Sequence, residues 1–333
     1  MKIKVGLIGA GKFGRVHLSG YAKNPKCEII AIASRTERSA REAADNFNIP
    51  NVYWGDSWKE MFEEQNLDAV SICSPNYLHA PMTLMALKNN CHILCEKPIA
   101  ISLQELNEIE EILSKKNLIY FSSFQKRFLP VTSDIKKLIE IDGLGELSLV
   151  RYFFGHHGPY TTHKAMSNQK WFINSKLAGG GVLIDLGVHC IDLLRCLIGE
   201  FTEIEGYSYN TSCKRMNAED NCSVIFQFEN NILGNISVTW CSEPMEIIEI
   251  FGSKGTLRID MQSKKPYMYK PKKLKRDPYL KKILKNKYNY NLIPQHALIN
   301  YFIECIIDNR QSDPSFNDGK RALEFVLKAY SNK

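Results

Sequence analysis

Ile3-Lys4-Val5-Gly6-Leu7-Ile8-Gly9-Ala10-Gly11-Lys12-Phe13-Gly14 opens the chain with an apolar run, a glycine-rich turn and the start of a helical pattern. The run from Ile3 to Ile8 has the near-continuous apolar character of a strand buried on both faces. Each glycine has its own task in such a unit. Gly9 permits the tight turn, Gly11 lets a pyrophosphate approach the backbone, and Gly14 lets the helix pack closely on the strand. The amides at the helix start, around Lys12 and Phe13, sit at the positive end of the helix dipole and suit an anion. The spacing alone is a weak signal. Its position between a strand and a helix is the context a dinucleotide-binding turn requires.

The residues that follow repeat the alternation. Strand-like runs at Glu28–Ala33, Val52–Trp54, Ala69–Cys73, His92–Cys95 and Leu118–Phe121 are separated by helical patterns at Thr36–Phe47, Trp58–Gln65, His79–Asn89 and Ser102–Lys116. This predicts βαβ units and a doubly wound parallel Rossmann sheet over residues 1–123. After a helix at Val131–Ile141, strand patterns dominate: Glu146–Phe154, Phe201–Asn210, Asn221–Glu229, Asn231–Trp240, Met245–Gly252 and Gly255–Asp260. Helical patterns lie at Gly181–Ile198, Gln295–Asp308 and Gly319–Ser331. Residues 124–333 therefore read as an α+β domain with a mostly antiparallel, open sheet.

Composition agrees with a folded, two-domain chain. Of 333 residues, 44% are hydrophobic and 24% charged. No run reaches the roughly 18 apolar residues of a membrane span, and the N-terminus has no leader pattern. These features, with ten cysteines at irregular spacing, suggest a cytoplasmic protein with reduced thiols and no membrane partner. The net charge of +7 comes from one segment. Lys264–Tyr290 holds 11 Lys or Arg and one acid, and the rest of the chain carries 32 bases against 35 acids. Nucleic acid is therefore not the expected partner. A solvated loop or oligomer arm is the plain reading of the segment. Its bases and tyrosines would also suit a nucleotide-linked sugar.

Cofactor choice turns on the end of the second strand. An acid there would bind the ribose of NAD, but the sequence is Ser34-Arg35-Thr36. Arg35 offers a planar cation and Ser34 and Thr36 offer hydroxyls, which favours NADP over NAD. Arg35 facing water or stacking on adenine is the competing reading.

Three more segments give the pattern specificity. Ser74-Pro75-Asn76 follows the fourth strand, Glu96-Lys97-Pro98 follows the fifth, and Gly179-Gly180-Gly181-Val182-Leu183-Ile184-Asp185-Leu186-Gly187-Val188-His189 opens the main helix of the second domain. Together with the glycine turn they resemble the glucose–fructose oxidoreductase, inositol dehydrogenase and rhizopine-catabolism (Gfo/Idh/MocA) family. The likeness extends to Asn317-Asp318-Gly319-Lys320-Arg321-Ala322-Leu323 near the end. It implies an NAD(P)-dependent enzyme that oxidises a ring alcohol, or reduces the ketone, of a sugar or cyclitol. It also implies that Lys97 is the active-site lysine, that Asp185 and His189 form the substrate-site pair, that Lys97–Pro98 is cis, and that a homodimer or homotetramer forms through the second sheet.

The residue types suit that chemistry. Removing hydride from a carbinol requires a base for the hydroxyl proton, and histidine works near neutral pH. Asp185 and His189, four apart, share a helix face. Lys97 can favour the alkoxide or, as the alternative, move the proton itself. An Asp–His pair at this spacing is more often a solvated or capping pair, and no third ligand makes it a zinc site. The triple glycine suggests close backbone approach to a ligand. Ser74, Pro75, Asn76, His79, Glu96 and Lys97 are further cofactor candidates, with a cap or packing role equally open for His79. Arg127, His157, Tyr160 and Trp171 are substrate candidates, with structural roles open for Arg127 and Trp171. A nucleotide-binding regulator, or an enzyme using tightly held NAD to cleave glycosides, is the competing function.

Overall fold

A computed structural model describes residues 2–160, 170–210, 216–261, 267–269 and 294–331. They divide into two compact units, Met1–Gln125 with Ile293–Leu323, and Lys126–Leu292 with Glu324–Lys333.

The first unit is built on six strands, β1 (Ile3–Ile8), β2 (Cys27–Ser34), β3 (Asn51–Trp54), β4 (Ala69–Ile72), β5 (His92–Cys95) and β6 (Tyr120–Ser122). They pair in the order β3-β2-β1-β4-β5-β6, all parallel. The connecting helices are α1 (Lys12–Ala22), α2 (Glu37–Phe47), α3 (Trp58–Glu64), α4 (His79–Lys88) and α5 (Leu103–Leu113). Local chemistry sets their ends. Thr36 caps α2 by accepting from the Ser39 amide, and Asn48 ends that helix in the left-handed conformation. Ser102 caps α5, and Glu105 reaches back to the Ile101 amide. Leu7, Leu18, Ile32, Ala43 and Ala44 close one side of the core between β1, α1, β2 and α2.

Where the sequence places everything after residue 123 in one domain, the structure returns Ile293–Leu323 to the first unit. The Pro294–Ile307 helix packs on α1. A side chain at Gly20 would meet Ile299 Cδ1 at 2.4 Å, Asn24 donates to Asn300 at 2.9 Å, and Phe302 meets Phe121 edge-on. Leu298, Ile299, Phe302 and Ile303 are all fully buried, and burying that apolar stripe drives the return.

The second unit holds β7 (Leu147–Gly155), β8 (Phe201–Tyr209), β9 (Asn221–Phe228), β10 (Leu233–Thr239), β11 (Met245–Gly252), β12 (Gly255–Asp260) and β13 (Tyr267–Tyr269) in the order β13-β12-β11-β7-β10-β9-β8. Neighbours are antiparallel except β7 and β10, which run parallel. Burial alternates along β8 to β12, so one face packs inward. The other face exposes Tyr207, Tyr209, Ile225, Leu233 and Met245. The stretch Ser175–Leu197 does have the length and hydropathy of a membrane-crossing helix, contrary to the sequence reading, but 83% of its apolar window is buried inside the protein. The backbone breaks at Gly179 and Gly180, and the stretch is part of this unit's core. Apart from the backbone of Tyr267–Tyr269, the basic segment Lys264–Tyr290 lies outside the described residues.

Candidate functional site

In the first unit the sheet order reverses between β1 and β4, the place where open α/β sheets take their ligands. The glycine turn leaves β1 there. Gly9 has φ +107°, and a Cβ on it would lie 2.4 Å from the Cys73 carbonyl oxygen. A Cβ on Gly14 would lie 1.8 Å from the Gly9 carbonyl oxygen, so both glycines are required by close backbone approach. Gly11 differs. It begins α1 without a side-chain cap, no acid occupies the first turn, and a Cβ there would meet nothing within 4 Å. The first-turn amides, from Lys12 and Phe13 onward, have no intrahelical acceptor. Just past β4, Ser74 Oγ is buried with no hydrogen-bond partner among the described residues. An open backbone cradle, a positive helix end and a waiting hydroxyl fit a dinucleotide diphosphate.

At the end of β2 the three candidates separate. Ser34 Oγ and Thr36 Oγ1 each lie 2.8 Å from Ser39 Oγ, so both hydroxyls are engaged in starting α2. Arg35 is exposed and forms no ion pair among the described residues. After β4, Pro75 leads into a short turn, Asn76–Leu78, with Asn76 buried. His79 does not line an open surface. It is 1% exposed, with Nδ1 2.6 Å from the Pro98 carbonyl and Nε2 2.7 Å from the Ser74 carbonyl. Burial lowers its affinity for a proton, against the pull of the two carbonyls. Its part is to tie the two strand-end loops together.

Glu96 is also internal. It is 6% exposed and accepts from Ser123 Oγ at 2.8 Å and from His17 Nε2 at 3.0 Å. Burial alone would raise its carboxyl, but the hydrogen bonds from His17 and Ser123 and the Lys97 charge hold it below the ordinary value. Glu96 thus supports the turn instead of facing a ligand. Lys97, partly exposed, follows it, and the Lys97–Pro98 bond is cis, as the resemblance implies.

In the second unit, the glycine run meets the protein itself. A side chain on Gly180 would lie 2.3 Å from the Tyr330 hydroxyl, and one on Gly181 would lie 2.1 Å from the Glu219 carbonyl oxygen. The close approach read as a ligand contact is internal. Tyr330 and the Leu183 amide both donate to Glu219 Oε1, at 2.6 and 3.0 Å. The Val182 amide donates to the Glu219 carbonyl at 2.9 Å. Burial, then the Glu219 charge, pushes the Tyr330 hydroxyl well up. This clamp starts a wide π-helical turn, Leu183–Gly187, that carries Asp185 and runs into the Val188–Leu197 helix bearing His189. Such turns are frequent at functional sites.

Trp240, wholly buried at the end of β10, organises this region. Its indole N–H donates to Asp185 Oδ2 at 3.2 Å. Phe172 packs on its ring at 5.1 Å between centroids, and Trp171 meets Phe172 edge-on. Gly158, with φ +52°, lies so close that a Cβ would be 2.3 Å from the indole Cγ. The Trp240 amide donates to the Asp220 carbonyl at 2.8 Å, while the Asp220 carboxylate accepts from Tyr160 at 2.6 Å. Asp185 thus bonds to the indole directly, Trp171 is linked to it through Phe172, and Tyr160 is linked to the Trp240 backbone through Asp220. His157 pairs instead with exposed Glu243 at 3.0 Å. Arg127 is spent on a buried, two-pronged pair with Asp192, at 2.6 and 3.0 Å, which favours its structural role. His17, Glu219, Trp240 and Tyr330 were not picked out from sequence. A buried tryptophan needs a partner for its N–H, and that was the one available signal for Trp240.

Residues 3–124 match the profile of the oxidoreductase family, NAD-binding Rossmann fold, and residues 132–258 match the GFO/IDH/MocA C-terminal domain. Trans-1,2-dihydrobenzene-1,2-diol dehydrogenase of Xenopus tropicalis is 26% identical over 78% of the chain and 76% of its own length. Glucose-6-phosphate 3-dehydrogenase of Bacillus subtilis is 27% identical over 99% of the chain and 96% of its own length. The crystal structure of the WlbA dehydrogenase from Bordetella pertussis, in complex with NADH and UDP-GlcNAcA, shares the fold, with TM-score 0.89, 21% identity and 99% and 95% of the two chains covered.

Proposed function

The chain belongs to the Gfo/Idh/MocA oxidoreductase family and carries its NAD-binding Rossmann domain, and from that premise we propose that it transfers hydride between a nicotinamide cofactor and a ring hydroxyl or ketone of a sugar, cyclitol or nucleotide-linked sugar. The observation that carries the reading is the cradle at Gly11, open where Gly9 and Gly14 are closed. Gly9, Gly11 and Gly14, the first-turn amides of α1 and Ser74 would hold the diphosphate. Hydride exchange at a carbinol carbon is the chemistry the bound nicotinamide supplies. The protein's residues handle the proton and the hydroxyls. His189 takes the hydroxyl proton in oxidation and returns it in reduction. Asp185, held by the Trp240 indole, orients the imidazole or binds a neighbouring hydroxyl. Lys97 lends positive charge to the developing alkoxide.

Sugar substrates are supported by relatives such as the glucose-6-phosphate 3-dehydrogenase. Self-association is assigned to the open face of the second sheet, where Tyr207, Tyr209 and Ile225 are exposed. The test is to offer NAD⁺ and NADP⁺ with a panel of hexoses, hexose phosphates, inositols and UDP-sugars, and to follow absorbance of the reduced nicotinamide. Turnover of at least one sugar is expected. Binding of NAD(P)H with no turnover across the panel would mark a nucleotide-binding regulator instead.

Two further outcomes follow. With no acid at the end of β2 and Arg35 exposed, NADP is the preferred cofactor. Arg35→Ala is expected to weaken NADPH binding by about 10- to 100-fold, the loss of charged hydrogen bonds to a phosphate, and to leave NADH binding unchanged. Fluorescence titration of both cofactors checks this, and equal loss for the two would contradict it. Trp240→Phe keeps a ring against Phe172 and removes the N–H from Asp185. It is expected to lower kcat about 10-fold, the worth of one hydrogen bond to a charged group, with NADPH affinity retained.

A further inference from the structure

His17 lies on the inner face of α1, fully buried. Its Nε2 is 3.0 Å from Glu96 Oε1, and its Nδ1 is 3.0 Å from Ser71 Oγ and 3.4 Å from Cys73 Sγ. Ser71 Oγ in turn is 3.0 Å from the Tyr21 hydroxyl, and Ser123 Oγ donates to the same Glu96 oxygen at 2.8 Å. The chain of polar groups thus joins α1, β4, the end of β5 and the turn after β6. Burying a carboxylate and an imidazole costs more than filling the same space with apolar side chains. Stability alone does not account for them.

The donors can be assigned in one direction. A carboxylate only accepts, so His17 Nε2 donates to Glu96. Nδ1 then accepts from Ser71 or Cys73, and Ser71 accepts from Tyr21. Burial pushes up both the Tyr21 hydroxyl and the Cys73 thiol, so each keeps a proton to donate. Every hydrogen bond then points toward Glu96, the residue that precedes Lys97. The Lys97 charge acts on the same carboxylate.

We propose that His17 is a positioning residue for Lys97: by holding the Glu96 carboxylate it fixes the Glu96-Lys97-Pro98 turn in the orientation that presents the lysine. The role rests on the assignment of Lys97 above. Hydrogen-bond networks of this kind act as units, so single and double changes should not add.

The experiment combines kinetics with histidine 15N spectra of the full-length protein. His17→Leu is expected to lower kcat about 10- to 100-fold, the cost of a misplaced reacting group, on whichever sugar of the panel turns over. KM and NADPH affinity should change little. His17→Gln keeps a donor near the Nε2 position and should recover most of the loss. The double variant His17→Leu with Glu96→Gln should be no worse than the poorer single variant. Independently of turnover, His17 should show a protonated Nε2 and an Nδ1 without a proton. Wild-type kcat in His17→Leu, additive losses, or the reverse tautomer would overturn the inference. Wild-type kcat in Lys97→Ala would overturn the assignment of Lys97 instead, so the two failures are distinct.

Discussion

Replacing His189 with alanine will cut turnover by about 10²- to 10⁴-fold, the usual contribution of a positioned general base, while NADPH binds as before. The separation of effects follows from placement. His189 is 7% exposed and lies at the start of the Val188–Leu197 helix in the second unit. The residues assigned to the diphosphate, from Gly9 to Gly14 and Ser74, belong to the first. Removing the imidazole leaves the hydroxyl proton without an acceptor as hydride departs, so the loss should fall on kcat. Steady-state kinetics with fluorescence titration of NADPH checks both halves. Near-full turnover in His189→Ala would move the proton to Lys97, and Lys97→Ala would then show the larger loss.

Two alanine substitutions three residues apart will fail in opposite ways. Gly14→Ala puts a methyl 1.8 Å from the Gly9 carbonyl oxygen and 2.9 Å from its carbonyl carbon. Both are backbone atoms of the turn, so helix and strand must part. Overpacking of this kind costs about 1–3 kcal/mol, and the displaced turn should also lose its nucleotide. Gly11→Ala adds its methyl to open space at a backbone conformation, φ −72°, that alanine adopts freely. Its stability should stay within about 0.5 kcal/mol of the parent. Its NADPH affinity should nevertheless fall about 10-fold, as expected when roughly 1.4 kcal/mol of a close contact is lost. Thermal unfolding and cofactor titration separate the cases. A Gly11→Ala protein that binds NADPH as tightly as the parent would show that the cradle is not the diphosphate site.

Much of the fold was legible because its signals are local. Strand and helix periods set β5, β11 and β12 at the bounds found in the structure, and the strand–turn–helix around Gly9 identified the first sheet. What was not legible depends on partners far along the chain. The Pro294–Ile307 helix reads as apolar and helical from its own residues. Its partners Gly20, Asn24 and Phe121, more than 170 residues earlier, show which unit it joins. The parallel pairing of β7 with β10 is likewise non-local. The glycine run before Asp185 did report close backbone approach, but sequence could not say to what. Its partners are Glu219 and Tyr330. Polar residues suffered most. His79 sits at the expected helix start and Glu96 at the expected strand end, yet both are turned inward and hydrogen-bonded there. A period assigns a residue to a face and not to a partner. The same reason hid His17 and Trp240.

Deuterium transfer tests the central assignment most directly. The protein would be incubated with NADP⁺ and ring-deuterated hexoses, hexose phosphates or inositols, and the reduced cofactor weighed by mass spectrometry. Reduced cofactor carrying one deuterium taken from a sugar carbon is the expected result. Reduced cofactor without the label, or no reduction with any member of the panel, would contradict it.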